Sequence, residues 1–260
     1  MMCQTCGCGA VEGYAIDRIP AVSASADDEG AAPGTPTHTH DHDHRHVPVH
    51  VSLLDKNDRI AESNRRRFEA KGVVVVSIAS SPGAGKTALI ERTLHDMAGT
   101  FEAGVIVGDL ATDNDARRLA RTQAPVVQIT TGTVCHLDAD MIANAIKRFD
   151  LDALDLLIVE NVGNLVCPAA YDLGEDARVV LMSVTEGEDK PAKYPTMFQR
   201  ADAVVITKTD MAEAAHFDRD AALAYIRRVA PDAELIELSS LTGEGMESWR
   251  HYLDQRLKAR

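Results

Sequence analysis

The chain has 260 residues, 45% of them hydrophobic, enough to bury one substantial core. Its 27 Lys and Arg stand against 40 Asp and Glu, and a net charge of −13 argues against nucleic acid or an anionic membrane as the main partner. The longest apolar runs, such as Val73 to Ala79 and Leu154 to Val159, are strand-length and too short to span a bilayer, and no charged-then-apolar export signal opens the chain.

Residues 1–50 are compositionally unlike the rest. Cys3, Cys6 and Cys8 fall within six positions, a Ser/Ala/Asp/Gly/Pro-rich stretch follows, and six histidines lie between His38 and His50. Such a segment cannot offset its ordering entropy by burial, so a flexible metal-binding arm is expected over 1–50. In a chain expected to be cytoplasmic, the five cysteines read as thiols or ligands, not disulfides. Residues 51–71 carry a charged helical pattern with a partial apolar stripe at Leu53, Leu54, Ile60 and Phe68, suited to a lid or to docking a partner.

From residue 72 to 260 the pattern changes to apolar strands separated by helix-length segments. Strands are predicted at Val73 to Ala79, Val105 to Gly108, Val126 to Ile129, Leu154 to Glu160, Val179 to Val184, Ala203 to Thr207 and Leu235 to Leu238. Their nearly continuous Val, Ile and Leu content implies a mostly parallel sheet covered on both faces, a doubly wound α/β domain. Ligands of such sheets sit at the carboxyl ends of the strands.

The first strand-exit loop reads Ser80-Ser81-Pro82-Gly83-Ala84-Gly85-Lys86-Thr87 and opens a helix. Backbone N–H groups of Gly83, Ala84 and Gly85 can curl around phosphate oxygens, Lys86 neutralises the outer phosphates, and the Thr87 hydroxyl can ligate magnesium. Ser80 stands where the consensus has Gly. At Thr207-Lys208-Thr209-Asp210 a carboxylate follows a strand, and Asp210 can accept both hydrogen bonds that guanine offers through N1–H and its amine, so GTP or GDP is favoured. Ser240, in Ser239-Ser240-Leu241-Thr242-Gly243, fits a second base-contact loop. Asp109, Asp113 and Asp115 follow another strand, Asp109 being best placed to reach a hydrated Mg2+, and Glu160-Asn161-Val162-Gly163 leaves a third with an acid positioned to sense nucleotide. No glutamine stands out as a water-positioning residue, so slow intrinsic turnover is expected.

Three groups of residues have metal-ligand chemistry. Cys3, Cys6 and Cys8 supply three thiolates that suit square-planar Ni2+ or tetrahedral Zn2+. His38, His40, His42, His44 and His46 alternate with polar residues, a composition that chelates borderline divalent ions with modest affinity. Cys135 and His136 adjoin one another, and Cys167 lies four residues beyond Gly163, so a metal held by Cys135, His136 and Cys167 would respond to the nucleotide loop.

With these residues in view, the sequence resembles the hydrogenase nickel-incorporation GTPases, in the dimerising branch of phosphate-loop proteins. The resemblance rests on Cys3-x-x-Cys6-Gly7-Cys8, on Gly108-Asp-Leu-Ala-Thr-Asp-Asn-Asp115, on Cys135-His136-Leu137-Asp138-Ala139, and on Glu160-Asn-Val-Gly-Asn-Leu-Val-Cys167-Pro168. It implies a nucleotide-dependent homodimer, a tight nickel site at the N-terminal cysteines, and a weaker nickel or zinc site at Cys135, His136 and Cys167. It also implies a small zinc-containing metallochaperone partner near Leu53 to Arg67, nickel delivery to the hydrogenase large subunit, and a family segment containing Lys190 and Lys193 near the base pocket. The urease accessory GTPases share the phosphate loop, but the three-cysteine terminus and Cys135-His136 favour the hydrogenase branch; a nickel store with a vestigial GTPase core is the alternative from another class.

Overall fold

A computed structural model describes residues 13–21 and 48–260, with only the helical backbone of 48–52 described. Cys3, Cys6, Cys8, His38, His40, His42, His44 and His46 lie outside the described residues.

The chain runs β1 (Ala15–Ile19), α1 (Pro48–Lys71), β2 (Val74–Ser80), α2 (Lys86–Asp96), β3 (Ala103–Asp109), α3 (Asn114–Ala120), β4 (Val126–Thr130) and α4 (Ala139–Ala145). It continues through β5 (Leu156–Glu160), β6 (Ala177–Ser183), α5 (Lys190–Lys193), α6 (Pro195–Gln199), β7 (Ala203–Thr207), α7 (Arg219–Val229), β8 (Glu234–Glu237) and α8 (Met246–Lys258). The eight strands form one sheet in the order β1-β4-β3-β5-β2-β6-β7-β8, parallel throughout except for antiparallel β1 at the edge.

Alternate residues of each central strand enter opposite layers. Val74, Val76, Ile78, Val105, Val107, Val179 and Leu181 pack in one cluster with α2, α3 and α8, whereas Val73, Val75, Ile106, Val180 and Met182 pack on the other face. Both faces are buried, which is why the strands read as unbroken apolar runs. Among the described residues no helix is long and apolar enough to cross a membrane.

Three features differ from expectation. β1 lies within residues 1–50, where the sequence analysis places no strand; its register pairs Ala15 with Thr130 and Ile19 with Val126. α1 begins three residues earlier than predicted, and its buried stripe is Asn57, Ala61, Asn64 and Phe68, while Leu53, Leu54 and Ile60 are only half-buried. Finally, the β5 strand starts at Leu156, because Leu151–Ala153 forms a short 3-10 turn ahead of it.

Candidate nucleotide and metal site

β2 delivers the glycine-rich loop to the carboxyl edge of the sheet, and α2 starts at Lys86. Gly85 caps that helix at φ 99°, a left-handed conformation that favours glycine and turns the loop into the helix axis. Lys86 Nζ donates to Ser80 Oγ at 3.1 Å, and Ser80 Oγ donates to the Ser81 carbonyl at 2.6 Å. The serine at the first consensus position therefore holds the lysine and is not a neutral departure.

A cleft of about 460 Å3 opens over this loop, lined by Lys86, Thr87, Asp109, Asp115, Arg118 and Glu160 among others. Thr87 Oγ1 donates to Glu160 Oε1 at 2.8 Å, while the buried Glu160 Oε2 has no partner. Burial pushes the Glu160 carboxyl up to about 7 against the opposing pull of the Lys86 charge, and burial likewise lowers the Lys86 pKa. Asp109 Oδ1 accepts from Ala111 N, Thr112 N and Thr112 Oγ1 at 2.8–3.2 Å. Asp115 lines the cleft, but Asp113 faces away and pairs with Arg117 at 2.7 Å. The hydroxyl of Thr87 and the free Glu160 oxygen, with Asp109 nearby, form an oxygen donor set that fits a hydrated magnesium ion.

The β7 exit loop closes the other side. Thr207 Oγ1 donates to the Ala84 carbonyl at 2.6 Å, and Lys208 Nζ donates to the Gly83 carbonyl at 2.7 Å. Thr207 thus reaches the glycine-rich loop with its hydroxyl, where an amide is usual. Asp210 follows in a short 3-10 turn, Thr209 N donates to the Leu238 carbonyl, and Arg92 of α2 reaches the Ser240 carbonyl at 3.2 Å. The loops bearing Lys208, Asp210 and Ser240 are in this way fastened to each other and to α2. Lys190 comes within 3.4 Å of Ser81 Oγ, whereas Lys193 pairs with Asp189 on the surface.

On the far side of Glu160 the chain brings Cys135, His136 and Cys167 together, with their ligand atoms all within 4.8 Å of one another. The Cys135 thiol donates to Cys167 Sγ at 2.9 Å. His136 stacks on Tyr171 with ring centroids 4.0 Å apart, and its buried Nδ1 has no hydrogen-bond partner. Burial depresses the His136 pKa to about 4, so the imidazole is neutral near neutral pH and keeps a lone pair for a ligand. Two thiols and a neutral imidazole with an unsatisfied nitrogen fit a borderline divalent ion such as Ni2+ or Zn2+.

The two halves are joined by residues 160–167. Gly163 packs so closely on Pro82 that an added Cβ would meet the Pro82 Cα at 3.1 Å. Asn161 Oδ1 accepts from Leu137 N at 3.2 Å, and Asn164 Nδ2 donates to the Cys135 carbonyl at 3.3 Å. The exit loops of β3 and β4 are also linked, Thr131 N donating to the Asp109 carbonyl and Gly132 N to that of Leu110.

A family model described as the CobW/HypB/UreG nucleotide-binding domain matches residues 74–237. The HypB hydrogenase maturation factor of Azotobacter vinelandii is 50% identical over 216 residues, covering 82% of this chain and 71% of the relative. The chain belongs to the HypB branch of this family. The HypB of Escherichia coli K12 is 47% identical over 208 residues, covering 80% of this chain and 72% of the relative. Among solved structures, HypB from Helicobacter pylori in complex with nickel superimposes with a TM-score of 0.75 at 40% identity, covering 78% of this chain and 96% of that one. HypB from Archaeoglobus fulgidus gives 0.74 at 42% identity, with coverages of 78% and 99%.

Sequence reasoning missed the residues that hold the site from outside. Asn57 Nδ2 donates to the Asp172 carbonyl at 2.8 Å while its Oδ1 accepts from Ala139 N at 2.9 Å. Asn64 Nδ2 donates to the Ala139 and Leu173 carbonyls, and Arg65 pairs with Asp172. α1 thereby staples the segment after His136 to the segment after Cys167. The available signal was spacing, since Asn57, Ala61, Asn64 and Phe68 recur at i, i+4, i+7 and i+11 on one helix face.

Proposed function

We propose that the chain is a GTP-hydrolysing metallochaperone that binds nickel and passes it to the hydrogenase large subunit, with metal and nucleotide states coupled. The observation that carries this reading is residues 160–167, whose one end meets Thr87 and whose other end supplies Cys167. A shift of Glu160 or Gly163 on loss of the γ-phosphate moves Cys167 and the Asn164 bond to Cys135, and linkage requires metal to act back on nucleotide with equal free energy.

In this reading the backbone of Gly83 to Gly85 and the Lys86 ammonium bind the phosphates. Thr87, Asp109 and Glu160 hold the hydrated magnesium ion, which supplies further neutralisation of phosphate charge. Asp210 selects guanine, and Lys208 and Ser240 complete the base pocket. Cys3, Cys6 and Cys8 hold nickel at the N-terminus, and His38, His40, His42, His44 and His46 gather it; Cys135, His136 and Cys167 hold nickel or zinc beside the nucleotide loop. The nickel complex of the Helicobacter pylori relative supports nickel as cargo. A cytoplasmic homodimer, assisted by a small zinc-containing metallochaperone docking on α1, completes the proposal.

The test is hydrolysis and binding in paired variants. Wild type should hydrolyse GTP slowly and bind GDP in strong preference to ADP; Lys86→Ala should lose hydrolysis and keep N-terminal nickel, and Cys6→Ala the reverse. Equal affinity for ADP, or hydrolysis unaffected in Lys86→Ala, would overturn the assignment.

A further inference from the structure

The cleft over the glycine-rich loop is lined by the carboxylates of Asp109, Asp115 and Glu160 and, among the described residues, by two cations, Lys86 and Arg118. Lys86 opens α2, whereas Arg118 comes from α3, the helix that follows the β3 exit loop. Asp115 and Arg118 stand at i and i+3 on α3, hence on one face, and both border the cleft. Arg118 Nε donates to Glu91 Oε2 at 2.8 Å, and Nη2 donates to the same oxygen. Glu91 in turn lies one turn beyond Thr87 on α2, which puts their Cβ atoms about 5–6 Å apart. Glu91 thus fastens the guanidinium above the wall of the cleft where Thr87 meets Glu160.

Only one edge of that guanidinium is taken. Nε and Nη2 share a single Glu91 oxygen, while Nη1 has no hydrogen-bond partner among the described residues. The planar fork therefore keeps donors for a further acceptor. The bond from Glu91, joined by the charges of Asp115 and Glu160, raises the Arg118 pKa, so the group is cationic at every working pH. With side chains 45% and 35% exposed, the Arg118–Glu91 pair contributes little to stability. What the pair does achieve is to hold a cation, within the field of two cleft carboxylates, on the rim of the phosphate site.

We propose that Arg118 is a catalytic residue for GTP hydrolysis, meeting the γ-phosphate from the same chain whose glycine-rich loop holds the nucleotide, with Glu91 as its positioning residue. The inference rests on the reading of the cleft as a GTPase site. In that reaction the water oxygen bonds to the γ-phosphorus as the bond to the β–γ bridging oxygen breaks. The bridging oxygen keeps the electron pair and leaves on GDP; one water proton stays on the phosphate and the other passes to solvent. Negative charge grows on the bridging oxygen as that bond lengthens, and a prepositioned guanidinium with free N–H donors stabilises it more than it stabilises bound GTP. Lys86, fixed on Ser80, supplies the first cation, and Arg118 supplies the second. With no glutamine to orient the water, turnover stays slow even so.

The test is single-turnover hydrolysis by the full chain loaded with GTP and Mg2+, run beside GDP titrations and urea midpoints. Arg118→Ala should hydrolyse GTP roughly 30-fold more slowly than wild type, with GDP affinity within about twofold and the urea midpoint unchanged. Arg118→Lys, which keeps the charge but not the fork, should recover part of the rate, and guanidinium chloride below denaturing concentration should partly rescue Arg118→Ala. Glu91→Gln should slow hydrolysis less than Arg118→Ala and add nothing further when combined with it. Aluminium fluoride, which mimics the transferring phosphoryl group, should tighten GDP binding to wild type and lose that effect in Arg118→Ala. Hydrolysis by Arg118→Ala within about twofold of wild type overturns the inference, as does a fluoride effect missing from wild type or kept in the variant. Loss of GDP affinity in step with hydrolysis overturns it too, since that marks a structural role. A wild type that hydrolyses no GTP removes the GTPase reading beneath it as well.

Discussion

Thr207 should matter to nucleotide binding more than its place as a departure from the usual motif suggests. Thr207→Val keeps the side-chain volume in a fully packed position but deletes the hydroxyl that donates to the Ala84 carbonyl at 2.6 Å and approaches that of Met182 at 3.4 Å. Ala84 is fully buried, so its carbonyl is left without the partner it has in the wild type. Leaving one buried acceptor unsatisfied costs about 1–3 kcal/mol. Part of that cost should appear as lower stability of the empty protein, read by urea denaturation. The rest should appear as weaker GDP binding, because the bond fastens the Asp210 loop to the glycine-rich loop; each 1.4 kcal/mol is about tenfold in affinity. Titration with fluorescent GDP beside the urea midpoints separates the two, and Thr207→Ser, which retains the donor, should recover most of the loss. A valine variant within about 0.5 kcal/mol of wild type in stability and within about twofold in GDP affinity would refute the fastening role.

Lys86→Ala removes the buried cation that faces Glu160 and the cleft, and should lower GTP turnover by roughly 100-fold or more in a phosphate-release assay. Metal-free protein should lose stability as pH falls from the ordinary histidine value of 6.5 towards 4, because the unfolded chain takes up a proton that folded His136 refuses. The loss amounts to about 3 kcal/mol across that window and should vanish from the difference between pH 7 and pH 4 denaturation curves when His136→Phe is compared. Asn57→Ala strands Ala139 N and the Asp172 carbonyl; it should cost about 1–3 kcal/mol and loosen nickel at Cys135, His136 and Cys167, measured by competition with a chromophoric chelator.

Much of the nucleotide half was legible because its signals are local. Seven strands announce themselves as apolar runs since both sheet faces are covered, and the loops that leave them carry Lys86, Asp109, Glu160 and Asp210 at fixed offsets from strand ends. β1 was not legible: Ala-Ile-Asp-Arg-Ile is short, half-exposed at a sheet edge, lacks strict alternation, and pairs with a strand more than a hundred residues later. The burial of Asn57 and Asn64 was not legible because polar side chains carry no burial signal; their partners are backbone groups brought near only by the tertiary fold. The grouping of Cys135, His136 and Cys167 was read from the adjoining Cys135-His136 pair and from Cys167 four residues beyond Gly163, but β3 stands between β4 and β5, and the thiol contact and the orphan His136 nitrogen are visible only in three dimensions.

The coupling of metal to nucleotide is tested most directly by titrating nickel into the protein with GDP or with a non-hydrolysable GTP analogue, recording stoichiometry and oligomer mass together, before and after Cys135→Ala. Residues 160–167 predict that affinity at the Cys135 cluster, and the mass, differ between the two nucleotides and that the difference disappears in the variant. Nickel isotherms and masses that are the same with either nucleotide would contradict it, leaving a metal-binding arm attached to an independent GTPase.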